Sequence, residues 1–322
     1  MTKIPSAYRR QCPPGGRFEN MVTRDGLRLR TAQWHPADRA DSRGTVVLLQ
    51  GHREFIEKYF EFIHDWLGRG YSVYTLDLRG QGLSDGHLQD RRKNYVPSFD
   101  LYLHDAHDFI VTHGLVRKRQ PSSPLILVGH SQGGHLALRY LRDHPGVFDK
   151  AIVMAPMVNI HFGNEVVETV ASWVVRANMF MGKHESHAPG QAMKTSPLQR
   201  RLAFELLTHD RDRFADQDYF FSQNPALHTG GATYGWLDAA LKSIARMQTA
   251  LFAESISIPV LMLLAGQERI VNNVDALSLA DQLPDCHVVL HEQARHEIYK
   301  ETDDIRQAMW DDIDRFLGYR FL

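Results

Sequence analysis

The 322-residue sequence predicts an α/β fold: a mostly parallel, doubly wound sheet entered through an N-terminal antiparallel hairpin and interrupted by a helical cap insertion. Three observations predict it. Short, nearly continuous apolar runs alternate with stretches of helical periodicity, the pattern of strands covered on both faces by crossover helices. Before the first run, the segment from Phe18 to Trp34 is broken by Asp25-Gly26, a hairpin signal. After Met157 the alternation stops, and it resumes near Ile258.

In chain order, Thr45 to Gln50 is the first apolar run, followed by helical spacing from Lys58 to Leu67. Tyr71 to Leu76 is the next strand, and Phe99 to Val111 the next helical stretch. Leu125 to Val128 then leads into a helix over His135 to Arg142, and Ala151 to Met154 forms another strand. Pro259 to Leu264 and His287 to Leu290 complete the set, and all six runs are expected to be buried. The residues between are rich in Met, His, Phe and Trp without a clear strand. A structureless loop of that length is uncommon in a compact domain, so a mostly helical cap is expected. Its place is the carboxyl-end side of the sheet, where open α/β sheets bind ligands. The expected organisation is a core of residues 1–156 and 258–322 with a cap of 157–257.

Composition narrows the function classes. The chain has 37 Lys and Arg against 38 Asp and Glu, a formal net charge of −1, which excludes nucleic-acid or anionic-membrane binding driven by net charge. Hydrophobic residues at 43 % and charged residues at 23 % are the proportions of a globular protein. A chain of this size buries roughly three quarters of its unfolded surface, so its core needs neither metal nor disulfide. Cys12 and Cys286 are its only cysteines, which excludes a disulfide framework and fits a reducing compartment. No apolar run reaches the ~18 residues of a spanning helix, and the first ten residues lack the apolar stretch of a signal peptide. A soluble cytoplasmic protein is expected.

The strongest chemical signal is Gly129-His130-Ser131-Gln132-Gly133, a Gly-x-Ser-x-Gly sequence between a strand and an apparent helix. In such an elbow the serine takes a strained conformation that tolerates no side-chain bulk beside it, hence the glycines. Its hydroxyl projects at a helix N-terminus, where the dipole and free N–H groups favour developing negative charge. Ser131 is therefore the candidate nucleophile. It needs a base, and the base needs an orienting acid. On this kind of elbow the order is Ser, acid, His. His296, in the loop after the last strand, is the candidate base, with His291 at the end of that strand as its rival. The acid belongs after the preceding strand, where Glu268 is the first carboxylate; Asp275 is next, at the start of a predicted helix.

Other signals are weaker. Gly80-Gln81-Gly82 begins a dinucleotide fingerprint, but its third glycine is out of place, and a structural turn with Asp77 and Arg79 in loop hydrogen bonds is the better reading. His104-Asp105-Ala106-His107-Asp108 and His184-Glu185-Ser186-His187 place ligand-type residues at helical spacing without a third zinc ligand in view. No metal is assigned. Arg91-Arg92-Lys93 is a local basic run, read as a solvated loop with contact to an anionic head group as the alternative. The apolar cluster that includes Trp173 and Phe180 serves either as the cap's own core or as an acyl pocket.

Together these motifs resemble the α/β-hydrolase superfamily, and within it the lysophospholipase and monoacylglycerol-lipase-like group, including bacterial enzymes described as inner-membrane lysophospholipases. The resemblance runs from about Phe18 to Leu317. It rests on Gly51-His52-Arg53-Glu54, Asp77-Leu78-Arg79-Gly80-Gln81-Gly82-Leu83-Ser84, the Ser131 elbow, Thr233-Tyr234-Gly235-Trp236, Glu268-Arg269-Ile270-Val271 and His296-Glu297. It implies an α/β-hydrolase fold, with the backbone N–H groups of His52 and Gln132 as the oxyanion hole. Two departures are visible. Gln50 replaces the first residue of a His-Gly turn, which leaves a backbone donor in place, and Glu268 stands where relatives usually have Asp.

The resemblance implies a serine hydrolase of acyl-lipid esters, such as a lysophospholipid or a monoacylglycerol; the apolar aromatic content of the insertion makes Trp173 and Phe180 candidate substrate contacts. No cofactor is implied, and the partner is a small-molecule acyl ester rather than a nucleic acid. Peripheral contact with the inner face of a membrane is compatible with it, and the oligomeric state stays open. The competing readings are a short-acyl carboxylesterase, a serine aminopeptidase-like amidase, and a binding module with a vestigial triad.

Overall fold

Residues 5–37, 42–116, 123–163, 165–191, 196–249 and 251–318 are described by a computed structural model. Among them the chain forms strands β1 (Arg17–Val22), β2 (Arg28–Trp34), β3 (Gly44–Leu49), β4 (Tyr71–Leu76), β5 (Lys93–Asn94), β6 (Leu125–His130), β7 (Lys150–Met154), β8 (Gly231–Ala232), β9 (Val260–Ala265) and β10 (Cys286–His291). The helices are α1 (Ser6–Arg10), α2 (Phe60–Gly68), α3 (Asp100–Thr112), α4 (Gln132–Asp143), α5 (Glu165–Phe180), α6 (Pro197–Leu207), α7 (Arg211–Gln223), α8 (Tyr234–Met247), α9 (Asn273–Ala280) and α10 (Asp303–Leu317).

The apolar runs pair into one sheet in the order β1-β2-β4-β3-β6-β7-β9-β10. The pairings β1–β2 and β2–β4 are antiparallel and the remainder parallel. The hairpin turns at Asp25-Gly26, where Gly26 takes φ 86°. Strand alternation divides the core in two. Val47 and Leu49, Leu125 and Leu127, and Met262 and Leu264 face one layer with residues of α3, α4, α8 and α9. Val46 and Leu48, Ile126 and Val128, and Leu261 and Leu263 face the other, with α2 and α10.

Two expectations change. The run at His287 to Leu290 forms β10, but as an edge strand it leaves Val288 and Leu290 exposed, since the final strand has a neighbour on one side only. The stretch 157–257 is mostly helical but is not one separate layer. Trp236, Ala239, Ala240 and Met247 of α8 are buried with the α3 and α4 residues on the sheet flank. By contrast α5 packs on α8, and α6 buries none of its residues. The short β5–β8 pairing ties the loop after β4 to this stretch.

Candidate active site

Where β6 gives way to α4, Ser131 takes φ 52° and ψ −114°, a left-handed conformation rare for a side chain of its kind. The flanking glycines explain how this is tolerated. A Cβ on Gly129 would collide with the backbone of Gly133, and one on Gly133 with the carbonyl of Leu49. The Ser131 N–H donates to the Met154 carbonyl at 3.0 Å, and its own carbonyl accepts from Met157 at 3.0 Å. The elbow is thus fixed to the end of β7. Ser131 is 7 % exposed.

The loops after β9 and β10 supply the next pair. Nδ1 of His296 lies 2.7 Å from Oε2 of Glu268, with both side chains nearly closed off from solvent. The other oxygen of Glu268 accepts the N–H groups of Arg269 and Ile270 at 2.9 and 2.8 Å, which fixes the carboxylate in the turn. Burial opposes the charge on Glu268, but His296 and the N–H groups of Ile270 and Val271 keep its pKa below the ordinary value. Burial likewise opposes protonation of His296, yet the Glu268 carboxylate holds its pKa above the ordinary imidazole value. Asp275 lies elsewhere, in the first turn of α9, and accepts from Asn159 at 2.9 Å. His291 approaches Asp312 rather than Glu268.

The Ser131 hydroxyl makes no hydrogen bond to His296 among the described residues. The two are linked through His130, whose Nε2 lies 3.1 Å from the His296 carbonyl oxygen and whose Nδ1 lies 3.3 Å from Glu54 Oε2. Catalytic hydrogen bonds are often long without substrate and tighten when it binds.

The turn after β3 is held from both sides. Gln81 donates through Nε2 to the Gly51 carbonyl and accepts the Arg53 N–H at Oε1, each at 2.9 Å. These bonds bracket His52. Neither the His52 N–H nor the Gln132 N–H has an acceptor among the described residues. The His52 ring lies 3.3 Å from Gln132 Oε1 and packs on Trp236, with centroids 4.1 Å apart. Burial, reinforced by the charge of Arg53, pushes its pKa down to about 3, so the ring is neutral.

Beneath this turn sits Glu54, which sequence reasoning quoted without a role. Its carboxylate accepts the Gly51 N–H at 2.6 Å, Lys58 Nζ at 2.9 Å, the Tyr299 hydroxyl at 3.0 Å, and the Tyr59 hydroxyl. Lys58 also reaches Glu297, the neighbour of His296, at 2.5 Å. One buried ionic cluster therefore joins the β3 turn to the His296 loop. No local signal marks it, because its members come from separate loops.

Trp173 and Phe180 are 66 % and 94 % exposed, so the structure does not bring them to Ser131. Trp173 flanks an open surface hollow with Glu168, Thr169, Ser172 and Arg176. Asp77 and Arg79 do brace loops: Asp77 accepts the N–H groups of Ile56 and Leu83, and Arg79 pairs with Asp105 and Asp25. Among the described residues no three His, Cys, Asp or Glu side chains converge on a metal site.

Comparison with known proteins places this geometry. Residues 40–303 match the family model Hydrolase_4, described as serine aminopeptidase, S33. A probable lysophospholipase L2 from Haemophilus influenzae is 27 % identical over 278 residues, covering 86 % of this chain and 84 % of that protein. Lysophospholipase L2 of Escherichia coli K12 is 32 % identical over 233 residues, 71 % of this chain and 64 % of its own length. A monoglyceride lipase structure from Saccharomyces cerevisiae superposes with a TM-score of 0.76 at 18 % identity, covering 99 % of this chain and 100 % of that one. The fold is that of an α/β-hydrolase.

Proposed function

The chain belongs to the serine aminopeptidase S33 family of hydrolases, and from that premise we propose that it cleaves carboxylic esters of acyl lipids with Ser131, His296 and Glu268 as its triad. The observation that carries this reading is the buried 2.7 Å contact between Glu268 and His296 beside a strained, glycine-flanked serine. The names of the relatives, lysophospholipase and monoacylglycerol lipase, support lysophospholipids or monoacylglycerols as the substrate class.

In this mechanism the Ser131 hydroxyl attacks the ester carbonyl while His296 Nε2 takes its proton. Glu268 holds Nδ1–H and so fixes the tautomer that leaves Nε2 basic. The unpaired N–H groups of His52 and Gln132 receive the oxyanion, each donor contributing about 3 kcal/mol in the transition state. His296 then protonates the leaving alcohol, and water activated by the same imidazole releases the fatty acid. The residues 157–257 act as the cap over this machinery, through α5 to α7.

Among the described residues no helix is long and apolar enough to cross a membrane. Val166, Val170, Trp173, Phe180 and Met181 are nonetheless exposed along α5 and just past its end. That apolar surface supports peripheral contact with a membrane at its cytoplasmic face, the source of acyl-lipid substrates.

The test is a hydrolysis panel of lysophospholipids, monoacylglycerols, short p-nitrophenyl esters and aminoacyl amides, with Ser131→Ala as control. Acyl-lipid esters are expected to give the highest kcat/KM, and the folded Ser131→Ala protein to lose several orders of magnitude. Preference for short esters or amides would overturn the substrate class.

A further inference from the structure

Arg53 directly follows His52, and its backbone is held at φ 62° with its N–H on Gln81. Among the described residues, the buried arginines Arg9, Arg30, Arg79, Arg139, Arg213 and Arg306 each pair with a carboxylate. Arg53 is different. Its partly buried guanidinium has no ion pair and no hydrogen-bond partner among the described residues, and burial depresses its pKa with no carboxylate to offset it.

Its charge acts on three histidines, on each of which a carboxylate also acts: Glu54 on His52, Asp90 on His187 and Asp218 on His228. His52 in the β3 turn, His187 before β8 and His228 after α7 all have lowered pKa values, chiefly through burial. The charge of Arg53 contributes in each case. Lys93 acts on His187 as well, from β5, and likewise forms no ion pair among the described residues. The rest of that basic run is occupied: Arg91 donates to the carbonyls of Gly82 and Ser84, and Arg92 pairs with Asp90. Two cations without an ion pair thus act on His187, and one of them, Arg53, directly follows the candidate oxyanion donor His52.

An unpaired, partly desolvated guanidinium is matched by a phosphate, which its planar fork binds bidentately. In a lysophospholipid only the glycerol backbone separates the scissile ester from such a phosphate, whereas a monoacylglycerol has a hydroxyl there. Arg53 is one residue from the His52 donor, about 3.8 Å between Cα atoms. Resting on the acyl-ester reading above, we propose that Arg53, assisted by Lys93, is the subsite for the head-group phosphate of a lysophospholipid. The position fixes specificity between two lipids that share the same ester chemistry.

The test measures kcat and KM for lysophosphatidylglycerol and 1-monoacylglycerol of the same acyl chain, below their critical micelle concentrations. In Arg53→Gln the ratio of the two kcat/KM values is expected to fall about ten- to hundredfold in disfavour of the phospholipid, through KM, the range of a charge-assisted hydrogen bond. Arg53→Lys restores part of the ratio, and Lys93→Gln lowers it less. A ratio unchanged in Arg53→Gln, or an equal loss on both lipids, overturns the proposal. A second arm uses p-nitrophenyl butyrate as reporter and glycerol 3-phosphate as competitor. Competitive inhibition is expected in the wild type and at least tenfold weaker in Arg53→Gln, while glycerol has no effect; an uninhibited wild type overturns the subsite. A protein that cleaves the reporter but neither lipid refutes the acyl-lipid reading instead, and this arm still decides the role of Arg53.

Discussion

Glu268 Oε2 and His296 Nδ1 lie 2.7 Å apart across 28 residues of sequence, each carried on the loop that leaves the carboxyl end of a neighbouring parallel strand. Chain connectivity makes this contact. Strands β9 and β10 run side by side in register from Cys286 opposite Val260 to His291 opposite Ala265, so their exit loops emerge together. A longer glutamate is accommodated because its second oxygen is pinned by the N–H groups of its own turn.

Loss of this carboxylate is expected to leave an imidazole free to take the wrong tautomer. Glu268→Gln should lower kcat by up to about 10⁴-fold. Asp275→Asn should have a small effect, because that carboxylate binds Asn159. Steady-state turnover on a soluble ester, with folding checked by circular dichroism, ranks the two; the reverse ranking would move the acid to Asp275.

The pH dependence follows from the raised pKa of His296. The base must be neutral, and a raised pKa keeps it protonated to a higher pH. Ester turnover should therefore rise with pH through a midpoint above the ordinary value of about 6.5. Because Glu268 supplies the upward shift, the residual activity of Glu268→Gln should show an acid limb displaced to lower pH. Profiles of kcat/KM for the two proteins measure this, and coincident midpoints would remove Glu268 from contact with the ring.

Much of this was legible in the sequence, and the reason is local. The β6 elbow announces itself by glycines that its backbone cannot do without, and the apolar runs of β3, β4, β6, β7 and β9 follow from burial on both faces. Glu268 could be singled out because it is the first carboxylate after a strand. What could not be read depends on contacts between distant segments. Gln81 brackets His52 from the next loop, Glu54 collects donors from two loops, and α8 joins the sheet-flank core with α3 and α4, far from it in sequence. The exposure of Trp173 and Phe180 was equally hidden, since an apolar helical stripe looks the same whether it faces a core or open surface.

The buried cluster of Glu54, Lys58 and Glu297 predicts a stability effect separate from chemistry. Lys58→Met removes the cation between two buried carboxylates, and breaking one partner of a buried pair costs about 3–5 kcal/mol. Chemical denaturation at neutral pH should show that loss. A variant within about 0.5 kcal/mol of the wild type would mean that the carboxylates are compensated in another way.

The exposed apolar residues of α5 predict membrane attachment without a spanning segment. Trp173→Ser with Phe180→Ser should reduce cosedimentation with vesicles of mixed zwitterionic and anionic phospholipid, while hydrolysis of a soluble p-nitrophenyl ester stays within about twofold, since surface changes rarely exceed ±0.5 kcal/mol. Unchanged vesicle binding would assign that surface another partner.

The central claim is that Ser131 is an activated nucleophile, and a fluorophosphonate probe tests it directly, because only a serine with a functioning base and oxyanion hole reacts quickly. Intact-protein mass spectrometry after brief exposure should show one adduct, mapped by peptide analysis to the segment containing Ser131. It should be absent from Ser131→Ala and greatly slowed in His296→Ala. A folded wild-type protein that stays unlabelled, or an adduct that persists in Ser131→Ala, would contradict the account.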